Sequence, residues 1–198
     1  MSAIQIRNAI GVSPVGEDTR LIAEKVSRLD FDDALEIGAG TGYVAIHLAR
    51  LGRRCRGVDI NPLAVECARA NAAANGVDIA FERSDLFQNV AGTFDLIIFN
   101  PPYGSAGGGG ALGRLMDIVK SLLPKENEAF SRFVYLFVRR GYRRLVRRFL
   151  AEARPHLRPG GSLVVHLHER ELDLFEGMRC ELLGRVPPQS LVRVVDSR

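Results

Sequence analysis

Cysteine is scarce in this sequence, and long apolar runs are absent from it. The three cysteines among 198 residues include no Cys-x-x-Cys pair, so neither a disulfide framework nor a zinc site is predicted. No apolar stretch approaches the ~20 residues of a membrane span, and the N-terminus lacks the basic start and apolar stretch of a signal peptide. We therefore expect a cytoplasmic protein with no membrane segment and no bound metal.

A glycine-rich turn follows the first short apolar run. Gly38, Gly40 and Gly42 stand at alternate positions just before a helical pattern that begins near Val44. Glycines allow the backbone to turn tightly and to approach a ligand closely at the N-terminus of a helix. The spacing differs from the Gly-x-Gly-x-x-Gly of dinucleotide-binding turns, so a nucleotide-like cofactor other than NAD is favoured.

Two acidic residues end the next two strand-like segments. Asp59 closes the run from Cys55 to Ile60, 17 residues after Gly42, the distance at which such folds place a carboxylate against ribose hydroxyls. Asp85 closes the segment that follows, and we interpret it as an acceptor for an adenine amine. Both acids are predicted at the sheet edge that carries the glycine turn.

The stretch Asn100-Pro101-Pro102-Tyr103 lies where the apolar run 94–99 ends. The Asn100 oxygen and the Pro101 carbonyl are acceptors, and proline has no N–H to offer, so this corner suits an –NH2 group. The Tyr103 ring could stack on a flat amide or base. A clamp for a planar nitrogen is one interpretation, and an ordinary exit from strand to loop is the other.

These motifs occur in the order and spacing of class I methyltransferases that use S-adenosylmethionine, and the sequence resembles that family over roughly Leu35 to Tyr103. The resemblance implies S-adenosyl-L-methionine as cofactor, S-adenosyl-L-homocysteine as product and a planar nitrogen as methyl acceptor. Two branches share Asn-Pro-Pro-Tyr: HemK-like enzymes acting on a glutamine amide of release factors, and enzymes acting on the adenine amine in RNA or DNA. A non-catalytic module on the same fold, binding RNA or a partner, is a third hypothesis.

Site residues follow from matching this sequence to the family's motifs. The resemblance assigns catalysis to Asn100, Pro101, Pro102 and Tyr103. It assigns cofactor binding to Thr19, Glu36, Gly38, Gly40, Gly42, Asp59, Ile60, Asp85, Leu86 and Asn100.

The N-terminal segment favours the HemK-like branch. Ser13 to Ile22 resembles the Pro-x-Glu-Asp-Ser/Thr segment of the short, archaeal and eukaryotic-type members, with Gly16 as one added residue. The chain also starts close to this segment, as those members do. The short eukaryotic-type members resemble enzymes that work with a small zinc-binding activator protein, so the resemblance implies such a partner here. Alternatively, Glu17 and Asp18 only cap a helix from Thr19 to Arg28, within an N-terminal helical segment, residues 1–30.

An arginine-rich helix is predicted in the second half of the chain. Residues 139–158 contain eight arginines and one glutamate, about +7, which leaves the rest of the +4 chain near −3. Six of the arginines occupy one half of the helical wheel: Arg139, Arg140, Arg143, Arg144, Arg147 and Arg148. An RNA or ribosome contact and a solvated outer face are the two interpretations.

The segment 104–130 is predicted as an insertion, with a glycine-rich loop followed by an amphipathic helix. It is interpreted either as a lid beside the stretch Asn100-Pro101-Pro102-Tyr103 or as a helix packed permanently on the domain. His166 and His168 would share one face of a strand, and a structural role is favoured over metal binding.

One domain over residues 1–198 is predicted, since 46% of the residues are hydrophobic and strand-like and helix-like patterns alternate. The expected fold is α/β, a Rossmann-like class I methyltransferase fold with a seven-stranded, mostly parallel sheet and a final antiparallel pair. Strands are predicted near residues 34–38, 55–59, 79–83, 94–99, 162–168, 180–186 and 190–195.

Overall fold

The structure, a computed structural model, describes residues 3–102 and 128–195, with the side chains of 128–138 excepted. A single seven-stranded sheet runs through it in the order β3-β2-β1-β4-β5-β7-β6. The first five of these strands are parallel, and β7 runs antiparallel to both β5 and β6. The strands are β1 (Asp33–Ile37), β2 (Arg54–Asp59), β3 (Ala80–Arg83), β4 (Phe94–Phe99), β5 (Leu157–His168), β6 (Cys180–Val186) and β7 (Gln189–Val195). The predicted fold class is confirmed.

The part of the chain that the structure describes contains four α-helices and two 3-10 helices. The α-helices are α1 (Glu17–Val26), α2 (Tyr43–Arg50), α3 (Pro62–Ala74) and α4 (Glu128–Ala153). The 3-10 helices span Arg154–His156 and Glu169–Phe175. No helix among the described residues is long and apolar enough to cross a bilayer.

The two faces of the sheet carry separate cores because successive strand residues point to opposite sides. Residues such as Ala34 and Ile98 pack against Ile22 of α1 and Val44 of α2. Their chain neighbours, including Leu35 and Ile97, pack with buried residues of α4 on the other face. Helices α1 and α2 therefore cover one face, and α4 covers the opposite face.

Strand β5 is longer than the prediction of 162–168. It begins at Leu157, which pairs with Phe94, and the register shifts before Leu96 pairs with Ser162. Between these two pairs β5 has more residues than β4, and the extra residues form an irregular part of the strand. They include Pro-Gly-Gly, which in the sequence is typical of a turn.

Within the described part of the N-terminal segment, residues 3–30, the helix spans Glu17–Val26, which begins two residues before the predicted helix from Thr19 to Arg28 and covers less than the predicted segment 1–30. Before this helix, the backbone at Gln5 and Arg7 lies along α3, held by two asparagine side chains. Asn71 accepts from the Arg7 N–H at 2.9 Å and donates to the Arg7 carbonyl at 3.0 Å. Asn75 does the same for Gln5, at 3.0 and 2.7 Å. Because these backbone groups are already paired with side-chain amides, the segment has no need of helical hydrogen bonds.

Candidate active site

The carboxyl ends of the parallel strands bring the predicted site residues to one edge of the sheet. Ile37, the last residue of β1, pairs with Val58 on one side and with Phe99 on the other. The glycine turn after β1 therefore lies between Asp59, which ends β2, and Asn100, which follows β4. Open α/β sheets bind ligands in the crevice outside these strand ends.

The glycines of the turn have different roles. A Cβ at Gly42, where φ is +78°, would lie 2.9 Å from the Phe81 ring, so this glycine is required for packing of α2. Gly40 also has a positive φ, +55°, but a Cβ there would meet no described atom within 4 Å. The backbone at Gly40 is therefore the part of the turn that a ligand can approach closely. This open approach fits the cofactor that the sequence implies.

Asp59 is fixed by backbone donors on both sides. One carboxylate oxygen accepts from the Gly40 N–H and the other from the Asn61 N–H, each at 2.9 Å. Burial raises the pKa of Asp59, and the backbone donors act against that rise. Each carboxylate oxygen can accept more than one hydrogen bond, so acceptor capacity remains for hydroxyl groups such as those of a ribose.

Glu36 lies inside the protein, beside the first turn of α2. Its side chain is almost fully buried, and Oε2 accepts from the Ala45 N–H at 3.0 Å. Burial raises its pKa to about 8, with the hydrogen bond from Ala45 lowering it and the negative charge of Asp59 raising it further. In this position Glu36 holds the helix that follows the glycine turn.

Asp85 contacts a residue of α4. Both of its carboxylate oxygens accept from the Arg148 guanidinium at 3.0 Å. The neighbouring Leu86 has φ of +49°, the one positive value at a non-glycine residue in the described part of the chain, and its side chain is buried in the core. Such backbone conformations are frequent at ligand sites. A contact of Leu86 with the cofactor would therefore involve its backbone.

Asn100 lies between groups from two other elements. Its side-chain nitrogen donates to Asp18 Oδ2 in α1 at 3.0 Å, and its oxygen is 3.1 Å from His166 Nδ1 in β5. Thr19 approaches the same cluster, because its hydroxyl donates to Asp18 Oδ1 at 3.4 Å. The N-terminus of α1 thus reaches the predicted substrate corner.

The remaining predicted site residues are placed as follows. Pro101 is buried and Pro102 is exposed. Ile60 is half exposed beside Asp59. Tyr103 and the predicted insertion up to residue 127 lie outside the described residues, so the predictions of a stacking ring and of a lid are not addressed by the structure.

The arginines of α4 form two groups rather than one charged face. Arg139 and Arg143 both pair with the fully buried Glu171, at 2.5 and 2.6 Å, and Arg148 pairs with Asp85. The other three, Arg140, Arg144 and Arg147, are exposed and take part in none of the ion pairs among the described residues. The six arginines therefore do not act as one solvated face, because Arg139, Arg143 and Arg148 join α4 to the rest of the domain through acids from other elements.

The described geometry is that of a class I methyltransferase domain: a Rossmann-like sheet, a glycine turn after β1, an acid at the end of β2 and Asn-Pro-Pro after β4. The family model described as methyltransferase small domain matches residues 8–123, and the chain belongs to that family. The predictions of a methyltransferase domain and of S-adenosylmethionine as its cofactor are confirmed at the level of the family.

Similar curated proteins have related names. A protein named as a protein N5-glutamine methyltransferase, from Methanocaldococcus jannaschii, is 50% identical over 88 residues, 44% of this chain and 45% of that protein. A ribosomal protein L11 methyltransferase from Thermosipho africanus is 48% identical over 69 residues, 34% of this chain and 26% of the other. A release factor glutamine methyltransferase from Agrobacterium fabrum is 42% identical over 92 residues, 43% of this chain and 32% of the other. The chain therefore matches less than half the length of each.

Solved structures share the fold over nearly the whole chain. A methyltransferase from Pyrococcus furiosus has a TM-score of 0.66 at 20% identity, covering 98% of this chain and 90% of that one. A Thermus thermophilus 16S rRNA methyltransferase in complex with AdoMet and guanosine has a TM-score of 0.65 at 20% identity, covering 94% and 44%. At this level of identity the similarity establishes the fold.

Proposed function

We propose that this chain transfers a methyl group from S-adenosylmethionine to the side-chain amide nitrogen of a glutamine in a peptide-chain release factor. The observation that carries the proposal is the position of Asn100, a polar amide at the end of β4 beside the glycine turn. Relatives named as glutamine methyltransferases support the choice of acceptor.

Positioning is the main task of the proposed site. S-adenosylmethionine, when bound, supplies a methyl group on a positively charged sulfur, which is already an activated donor. An amide nitrogen is a weak nucleophile because its lone pair is delocalised into the carbonyl group. The Asn100 oxygen and the Pro101 carbonyl would accept the two hydrogens of the substrate –NH2. This holds the nitrogen in one orientation and increases its electron density, and one of the two protons is lost after transfer.

The cofactor half of the proposed site comprises the turn at Gly40 and the acids that flank it. Asp59 retains acceptor capacity for ribose hydroxyls, and Asp85 would accept from the adenine amine beside its contact with Arg148. Thr19, Ile60 and Leu86 are proposed cofactor contacts on the basis of the motif match.

The exocyclic amine of adenine in RNA is the second candidate acceptor. It is also a planar –NH2 group, and the exposed arginines Arg140, Arg144 and Arg147 favour contact with a polyanion. Glutamine is preferred because relatives named for that reaction are 50% and 42% identical to parts of this chain, over 88 and 92 residues. The zinc-binding activator protein stays a prediction.

Labelled S-adenosylmethionine tests the proposal when it is incubated with either a release factor or total RNA. We expect label in the release factor, lost when its acceptor glutamine is replaced by leucine. Label in an RNase-sensitive product would favour the adenine amine instead, and absence of cofactor binding in calorimetry would favour the non-catalytic module.

Asn100→Ala tests the role of the clamp. We expect turnover to fall by at least about 100-fold, with the dissociation constant of S-adenosylmethionine nearly unchanged, since Asn100 is proposed to contact the acceptor. Gln5→Ala is the matched control, because Gln5 is an exposed amide whose backbone pairs with Asn75, just after the end of α3. Loss of cofactor affinity with normal turnover would contradict the assigned role.

A further inference from the structure

The side-chain amide of Asn100 has two orientations of nearly equal shape, which differ in whether oxygen or nitrogen faces a given neighbour. Only one of them presents an acceptor to the substrate corner. Asp18 decides between the two, because a carboxylate only accepts hydrogen bonds and lies 3.0 Å from the Asn100 nitrogen. The Asn100 oxygen is therefore directed toward His166.

The contact with His166 determines which ring nitrogen carries the proton. The Asn100 oxygen cannot donate, so His166 Nδ1, 3.1 Å away, must carry a hydrogen. His166 is 1% exposed, and burial lowers its pKa, although the negative charge of Asp18 acts in the opposite direction. A neutral ring with Nδ1 protonated leaves Nε2 without a proton, and Nε2 has no hydrogen-bond partner among the described residues.

We propose that Asp18 and His166 are positioning residues that lock the Asn100 amide with its oxygen as acceptor, and that His166 does so as the Nδ1–H tautomer. The inference deepens the proposed function and rests on it. A carbonyl oxygen has two lone pairs, of which His166 engages one and the substrate –NH2 would engage the other. A flipped amide would instead turn its own N–H groups toward the N–H groups of the substrate.

The three residues come from separate elements, so the lock depends on the fold. Asn100 follows β4, His166 lies in β5, and Asp18 lies in the first turn of α1. Phe99 pairs with Val165, which places Asn100 and His166 side by side on the face that α1 covers. The motif Asn-Pro-Pro-Tyr supplies the clamp, and two residues outside it set its orientation.

A tautomer measurement tests the lock independently of activity. Long-range ¹H–¹⁵N correlation spectra of the labelled protein at neutral pH should show His166 with Nδ1 protonated and Nε2 unprotonated. The Asn100 side-chain ¹⁵N signal should shift in Asp18→Ala. An Nε2–H tautomer, a charged imidazolium or an unshifted Asn100 signal would overturn the inference.

Kinetic measurements with a release factor as substrate provide a second test of the role of His166. We expect His166→Leu to lower kcat by about 10-fold to 100-fold, with the affinity for S-adenosylmethionine unchanged. His166→Asn should recover most of the loss, because an asparagine amide nitrogen lies near the position of Nδ1, whereas His166→Gln should not. His168→Leu is the control, since it removes a histidine from the same strand that instead accepts from the Arg170 N–H.

The possible outcomes separate the two proposals. A wild-type kcat in His166→Leu, or no recovery in His166→Asn, would overturn the lock. If the wild-type protein does not label a release factor, the proposed function fails. The tautomer measurement then still tests whether Asp18 and His166 hold the Asn100 amide in one orientation. Because that measurement is made on protein with an unsubstituted His166, it also tests the proposed orientation of Asn100 if the His166→Leu variant does not fold.

Discussion

Glu36 accepts a hydrogen bond from the backbone N–H of Ala45, 3.0 Å away, and so joins the end of β1 to the first turn of α2. The carboxyl group is buried, and its pKa is raised to about 8, chiefly by burial. A buried acid next to the cofactor turn makes the stability of this domain depend on pH.

Glu36→Gln should remove that dependence. The folded protein holds the Glu36 proton more tightly than the unfolded chain, so wild-type stability falls as pH rises from 4.5 to about 8. The variant keeps an acceptor for Ala45 but has no charge to desolvate. It should match the wild type below this range and exceed it above, by at most about 5 kcal/mol. Urea unfolding near pH 4 and near pH 9 measures the difference. A difference that does not grow with pH would contradict this.

Asp59→Ala should weaken binding of S-adenosylmethionine. Hydrogen bonds to a charged acceptor contribute about 1.5–3 kcal/mol, which corresponds to a rise in dissociation constant of about 10-fold to 100-fold. The substitution also frees the Gly40 and Asn61 N–H groups, which loosens the turn. Isothermal titration calorimetry measures the constant. Asp78→Ala, at an exposed acid on the surface, should bind like the wild type, and equal affinity in both variants would refute the assigned role of Asp59.

Glu171→Ala should destabilise the domain by about 3 kcal/mol, because it leaves two arginines of α4 without their buried partner. Arg139 and Arg143 are partly exposed, and Arg143 retains Asp173, so the loss is at the lower end for a buried pair. Urea unfolding gives the value. Glu176→Ala, at an exposed acid just after the 3-10 helix, should change stability by less than about 0.5 kcal/mol.

Much of the sheet could be predicted because its strands are short apolar runs that end in characteristic residues. The predicted strands 94–99 and 180–186 agree with β4 and β6 to the residue. The glycine turn and the acid at the end of β2 were predictable for the same reason, since the positions of both follow directly from where the strands end. Local sequence sets these features.

The missed features depend on partners far apart in the chain. The course of the backbone at Gln5 and Arg7 is set by Asn75 and Asn71, 70 and 64 positions away, and two asparagines one helical turn apart were the available signal. The Asn100–His166 contact and the Arg148–Asp85 pair join residues 66 and 63 positions apart. A helical wheel shows which arginines share a face, but it does not show which of them meet an acid from another element.

The exposed arginines of α4 lead to a prediction about RNA. Arg140, Arg144 and Arg147 lie at positions i, i+4 and i+7, so they form one stripe along the outer side of the helix. If the stripe contacts phosphates, replacing all three with glutamine should weaken binding to a ribosomal RNA fragment. The slope of log K against log salt should also fall in magnitude by about 2, the value for three lost contacts to single-stranded RNA.

A triple variant with the same change of charge is the control for this stripe. Arg28, Arg179 and Arg185 are exposed and lie outside α4, so their replacement by glutamine removes three charges without changing that helix. Filter binding across a range of salt concentrations compares the two. If affinity depended only on net charge, both triple variants would lose the same amount, and the stripe would then be a solvated outer face. A loss confined to the α4 variant would assign the contact to the stripe, because the paired arginines Arg139, Arg143 and Arg148 are unchanged in both.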